Sequence, residues 1–113
     1  MSARGNLGRD GEEIAVRHLE QIGYVIVGRN VRLPGGEIDV ICRDKDVLVF
    51  VEVKARSNAR FGSALSAVDA RKRRTLRALA ADYLQFAAPG TQARFDVVTV
   101  RDGRVAHVRS AFS

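Results

Sequence analysis

Gly36-Glu37-Ile38-Asp39-Val40-Ile41-Cys42-Arg43-Asp44-Lys45-Asp46-Val47-Leu48-Val49-Phe50-Val51-Glu52-Val53-Lys54-Ala55-Arg56 is the stretch on which the fold turns. Two β-rich runs, Glu37 to Arg43 and Val47 to Lys54, flank the polar Asp44-Lys45-Asp46, the pattern of a β-hairpin. Charged residues interrupt both runs. Asp39 stands between Ile38 and Val40, Glu52 between Val51 and Val53, and Lys54 follows one residue later. Strands this apolar are expected in a core, where a charge is costly unless it is paired or binds a metal. A turn leaving two or four residues unpaired around Lys45 and Asp46 sets Ile41 opposite Phe50, Asp39 opposite Glu52 and Glu37 opposite Lys54, all on one face. A three-residue turn shifts the register by one and sends Asp39 and Glu52 to opposite faces. The chemistry therefore hangs on the parity of one turn.

Opposed carboxylates repel, which weakens a sheet and raises the pKa of at least one of them. A hard divalent cation such as magnesium removes that penalty, since it takes oxygen ligands and keeps several waters for substrate phosphates. A cross-strand network in which Lys54 and a nearby arginine neutralise the acids meets the same cost without a metal. Spacing alone leaves both open.

Outward from the hairpin, the chain has 113 residues, enough for one domain with a modest core. We divide it into a flexible arm over residues 1–9 and a single domain over 10–113. One cysteine, Cys42, excludes an internal disulfide and a Cys-cluster zinc site, and it reads as a core residue. Neither a signal-peptide core nor an 18-residue apolar run is present, so a cytoplasmic protein with no membrane association is expected. The net charge of +6 is the footprint of a polyanion binder, nucleic acid first. The densest basic run is Arg71-Lys72-Arg73-Arg74, with Arg77 beyond it and Arg56 and Arg60 in the preceding loop.

A first helix is expected from Asp10, its candidate N-cap, with an apolar stripe of Ala15, Val16, Leu19 and Ile22 and a stop at Gly23. Glu12 falls on that stripe and Glu13 does not. Tyr24 to Val31 is the first strand, and Leu33-Pro34-Gly35-Gly36 turns into the hairpin. A second helix is expected from Ser66, its candidate cap, to Phe86. Val68, Leu76, Leu79, Tyr83 and Phe86 lie along its apolar face, and Lys72 precedes Leu76 by one turn. Ala93 to Val100, the Asp102-Gly103 turn and a short strand from Arg104 to Val108 complete the order. Asp96 reads as a salt-bridge partner. His18 and His107 stand at no metal or triad spacing and read as incidental. Helix, three strands, helix, two strands is an α/β arrangement with a helix on each side of a mixed sheet, the fourth strand parallel to a core strand.

The elements Gly8-x-x-Gly11-Glu12-x-x-Ala15, Gly23-Tyr24, Arg29-Asn30, Gly36-Glu37-Ile38-Asp39, Phe50-Val51-Glu52-Val53-Lys54-x-Arg56 and Arg94-Phe95-Asp96-Val97-Val98 closely resemble the YraN-like family of small bacterial proteins. The resemblance implies a restriction-endonuclease-like αβββαβ core, similar to archaeal Holliday-junction resolvases. It assigns the superfamily's Asp, Glu and Lys to Asp39, Glu52 and Lys54, with Glu12 as the first-helix acid; Ile38 stands where the signature has Pro. The implied activity is metal-dependent hydrolysis of DNA phosphodiesters, linear or branched. Its alternative is a nucleic-acid-binding module whose nuclease-like site is inactive or depends on a partner. In the nuclease reading, Asp39, Glu52 and the Val53 carbonyl hold Mg2+ or Mn2+, and Glu37 holds Lys54. Arg56, Lys72 and Arg73 are expected to contact phosphate. A homodimer would supply the two sites a junction cutter needs.

Overall fold

A computed structural model describes residues 3–56 and 69–113. In chain order these form α1 (Ala3–Gln21), β1 (Val25–Leu33), β2 (Gly36–Asp44), β3 (Val47–Arg56), α2 (Ala70–Ala87), β4 (Ala93–Arg101) and β5 (Arg104–Phe112). The five strands make one sheet in the order β1-β2-β3-β4-β5. β3 and β4 pair in parallel and every other neighbouring pair is antiparallel. This is the mixed sheet of a restriction-endonuclease-like core.

Alternation along β3 shows why one helix lies on each side. Val49 and Val51 are buried with Ala15, Val16 and Leu19 of α1, whereas Leu48 and Phe50 are buried with Leu79 and Ala80 of α2. Successive strand residues point to opposite faces, so a strand apolar at nearly every position needs a cover on both. Gly11 sets the α1 approach: a Cβ there would stand 2.6 Å from the Ala55 Cβ of β3.

The central hairpin has the expected parity. Lys45 and Asp46 form a two-residue turn, Ile41 pairs with Phe50, and the ladder runs from Asp44↔Val47 to Val40↔Val51. Lys45 adopts the left-handed conformation at φ 56°. The turn between β4 and β5 places Asp102 and Gly103 at positive φ, the geometry of a tight hairpin turn.

Several expected boundaries move. α1 already runs from Ala3, so Asp10 lies inside it rather than capping it, and part of the expected arm belongs to the helix. Ile22, past the helix end, is exposed, and so is Phe86 in the last turn of α2. Ser66 and Val68 lie outside the described residues. α2 is capped by Asp69, whose carboxylate accepts the Lys72 N–H at 2.9 Å. β5 continues to Phe112, beyond the expected end at Val108. Its ladder with β4 shifts between Phe95 and Val97, and there the Asp96 carboxylate accepts the Ser110 N–H at 3.0 Å. A side chain substitutes for a ladder carbonyl, a substitution that residue patterning does not reveal.

The histidines are not incidental. His18 Nε2 lies 3.0 Å from His107 Nδ1, and His107 Nε2 lies 2.8 Å from Asp96 Oδ2. Arg94 donates to Asp96, to Asp44 at 2.8 Å and to the Tyr24 hydroxyl. The network ties α1, β2, β4 and β5 together around fully buried Asp96, the salt-bridge partner its sequence setting suggested. An ionised carboxylate only accepts, so His107 donates to Asp96 from Nε2–H and turns Nδ1 to His18.

Candidate active site

On the α2 side of the sheet, β2 and β3 part just beyond Val40 and Val51, where the hairpin ladder ends. β3 continues beside β4, with Glu52 in register with Val97 and Lys54 with Thr99. Into the gap goes Asp39. It does not form a ladder pair with Glu52; its Oδ2 accepts the Val53 N–H at 2.9 Å. This corrects the simple opposed pair while keeping the two acids together. Burial, and then the negative charge of Glu52, push the Asp39 carboxyl up to about 7, against the opposing pull of the Val53 N–H and Lys72.

Glu52 is 3% exposed, on a strand with apolar cover on both faces. Its Oε1 lies 3.0 Å from the Lys54 ammonium and 3.5 Å from that of Lys72. Its Oε2 is buried and has no hydrogen-bond partner among the described residues. Lys54 turns to Glu52, not to Glu37, whose ladder partner is Arg32 on β1. The expected Glu37–Lys54 pairing does not form, because the hairpin opens before reaching those residues.

Glu12 arrives from α1. One turn before Val16 on the buried stripe, it is 18% exposed where Glu13 is 47%. Asn30 donates to Glu12 Oε1 at 2.7 Å, and Arg29 reaches both acids, at 3.4 Å for Glu12 and 3.1 Å for Glu13. Asn30 falls opposite Asp39, between the pairs Arg29↔Val40 and Val31↔Ile38, and takes a left-handed φ of 51°. Asn tolerates that conformation better than most residues. Its role in holding Glu12 is one that spacing did not expose; an Asn inside a β-rich run was the available signal. The Glu12 charge adds to the upward push on Asp39.

The basic residues divide. Lys72 reaches Glu52 because it sits one turn before buried Leu76. With Lys54, Asp69, Arg71 and Thr75 it lines a cleft of about 410 Å³ at the start of α2. Arg73 turns the other way, its guanidinium 5.7 Å from the centre of the Phe112 ring, and does not join the cleft. The side chain of Arg56, along with Arg60 and Phe61, lies outside the described residues. Cys42 is buried, its thiol pushed up to about 12 by burial and by Asp96.

Chemically, the site offers two acids whose compensation is uneven. One oxygen of Glu52 faces two ammonium groups, and the other has no hydrogen-bond partner among the described residues. Among the described residues no three His, Cys, Asp or Glu side chains are grouped so as to hold a metal ion by themselves. A cation here would have two carboxylates, the pattern magnesium accepts when waters and phosphates complete its shell.

A model of the uncharacterised protein family UPF0102 matches residues 11–100. The chain is 48% identical over 118 residues to a UPF0102 protein of Frankia alni, covering 99% of this chain and 98% of the relative. A UPF0102 protein of Dechloromonas aromatica is 45% identical over 106 residues, covering 94% and 88%. One of Desulfosudis oleivorans is 45% identical over 115 residues, covering 99% and 94%. Neither α1 nor α2 is long and apolar enough to cross a membrane. The chain belongs to the UPF0102 family, the YraN-like group whose motifs its sequence carries in order.

Proposed function

We propose that this protein is a divalent-metal-dependent nuclease that hydrolyses phosphodiester bonds in DNA, linear or branched. The observation carrying this reading is the Glu52 carboxylate. It is buried, has one oxygen with no hydrogen-bond partner among the described residues, and lies beside an Asp39 whose ionisation it opposes. A buried carboxylate oxygen without a partner is costly in a structural ion network and useful in a metal site. Asp39 and Glu52 would hold Mg2+ or Mn2+, with the Val53 carbonyl beside them and Glu12 contributing directly or through water. When bound, such a cation supplies a water of lowered pKa and absorbs charge on the phosphate.

The chain's own residues do the rest. The Val53 N–H fixes one oxygen of Asp39 and leaves the other for a ligand. Lys54, held 3.0 Å from Glu52, is placed to orient the attacking water or to neutralise charge on the phosphate in the transition state. Asn30 and Arg29 keep Glu12 turned toward the sheet. Lys72 and Arg71 in the cleft offer positive charge to the DNA backbone, which positions a substrate without reading its sequence.

Incubation of the purified protein with Mg2+ or Mn2+ and labelled duplex, single-stranded and four-way-junction DNA tests the proposal. Cleavage of at least one substrate is expected, abolished by Glu52→Ala with binding retained. Salt-sensitive binding with no cleavage under any metal would favour the alternative, a nucleic-acid-binding module with an inactive or partner-dependent site. Self-neutralisation of Glu52 Oε1 by two lysines is the observation on that side.

A further inference from the structure

We infer that Lys72 is a resident counter-ion of the acidic pair, one that competes with the divalent cation for Glu52 and must withdraw when the cation enters. The inference rests on the metal-dependent reading above and adds a control on that site. Glu52 needs one positive partner and has two, Lys54 at 3.0 Å and Lys72 at 3.5 Å, both on Oε1. Its Oε2 has no hydrogen-bond partner among the described residues. A cation entering at Oε2 and Asp39 meets both ammonium charges at short range, where like charges are strongly unfavourable.

The two lysines differ in their freedom to leave. Lys54 is two residues along the same strand as Glu52 and is 24% exposed; Lys72 comes from α2 across the gap and is 39% exposed. The Lys72 backbone is fixed, since its N–H is bound by the Asp69 cap at 2.9 Å. Its side chain nevertheless borders the open cleft that also contains Arg71 and Thr75. Withdrawal from Glu52 therefore moves the ammonium to the cleft rather than into the core. Positive charge leaves the acids and joins the surface offered to phosphate. By linkage, a phosphate that engages Lys72 relieves its competition with the cation, so each favours the other. Lys72 is thus a positioning residue acting through Glu52, beyond the phosphate contact its place in a basic run suggests.

Calorimetric titration of Mn2+ alone, without nucleic acid, into the full chain at pH 8 tests this. Lys72→Ala is expected to bind Mn2+ roughly fivefold more tightly than wild type, the scale of a half-exposed ion pair. Lys72→Arg is expected to return the affinity toward wild type, because it keeps the competing charge. Arg74→Ala, which removes a charge from the exposed side of the same helix, controls for net charge and is expected to change the affinity less than twofold. A thermal midpoint for each variant confirms folding; a purely structural role for Lys72 would lower that midpoint and leave Mn2+ affinity unchanged. Weaker or unchanged Mn2+ binding by Lys72→Ala, against measurable binding by wild type, overturns the inference and leaves the nuclease reading standing. Absence of Mn2+ binding by wild type overturns both.

Discussion

Asp39 carries two burdens: it is withdrawn from water, and it faces the charge of Glu52. Both favour its protonated form, so its carboxyl titrates near 7 rather than at its ordinary 3.8. The native state therefore holds this proton more tightly than the unfolded chain does. Below pH 4 both states are protonated and the group costs nothing. As pH rises from about 4 to 7 the cost of the buried anion builds, and above 7 it is complete. Asp39→Asn keeps an acceptor for the Val53 N–H and removes the charge. Urea denaturation is expected to show it more stable than wild type at pH 8 by about 2 kcal/mol, with the difference vanishing near pH 4. A carboxylate whose removal stabilises the fold is retained for work other than folding.

Among the elements, α1 and the central hairpin decide where the acids meet. Gly11 lets α1 lie against β3 so closely that an added methyl would stand 2.6 Å from the Ala55 Cβ. Gly11→Ala must push the helix outward, carrying Glu12 away from Asn30 and Asp39. A loss of about 1–3 kcal/mol in denaturant stability is expected, together with reduced cleavage. The hairpin was legible in the sequence because two β-rich runs flank a polar Asp44-Lys45-Asp46, but the parity of its turn was left open there and comes from the structure, where Ile41 pairs with Phe50. Lys72 and Glu12 were legible for a similar reason, each sharing the helical stripe of neighbouring core residues. The detailed meeting of Asp39 with Glu52 was not. It depends on β3 leaving β2 for β4, so that a backbone N–H takes the Asp39 side chain where a ladder pair was expected. Asn30 was visible as an Asn in a β-rich run and in the Arg29-Asn30 motif, but its hold on Glu12 escaped, since that comes from a left-handed backbone at one register position.

Across the whole molecule, the sheet divides two polar systems with different purposes. On the α2 side compensation is uneven, both ammonium groups falling on one oxygen of Glu52; on the α1 side Asp96 is fully served. Burial alone would raise the Asp96 pKa, but hydrogen bonds from His107, Arg94 and the Ser110 N–H outweigh it and hold the carboxyl below its usual value. The His18 pKa is lowered by burial, then by the positive fields of His107 and Arg109. A depressed Asp stabilises the fold above its unfolded pKa and loses that contribution as pH falls through its folded value. A histidine held neutral contributes above 6.5 and loses that as acid protonates the unfolded chain first. Both losses run toward acid. His107→Ala is expected to cost about 2 kcal/mol at pH 7 by chemical denaturation, the worth of a buried hydrogen bond to a charged group, and to leave Mn2+ affinity unchanged. The histidines were unreadable in the sequence because their partners lie 89 and 11 residues away and meet only through the packing of α1 on β5 and the pairing of β4 with β5.

If Asp39 and Glu52 are held together to receive a divalent cation, it enters where Glu52 Oε2 has no hydrogen-bond partner among the described residues. Calorimetric titration of Mn2+ into wild type and Glu52→Gln at pH 8 and pH 6 tests it most directly. Saturable binding by wild type is expected, weaker at pH 6 because the cation must displace the Asp39 proton, and lost in Glu52→Gln. Binding that survives Glu52→Gln unchanged, or no binding by wild type, would contradict it.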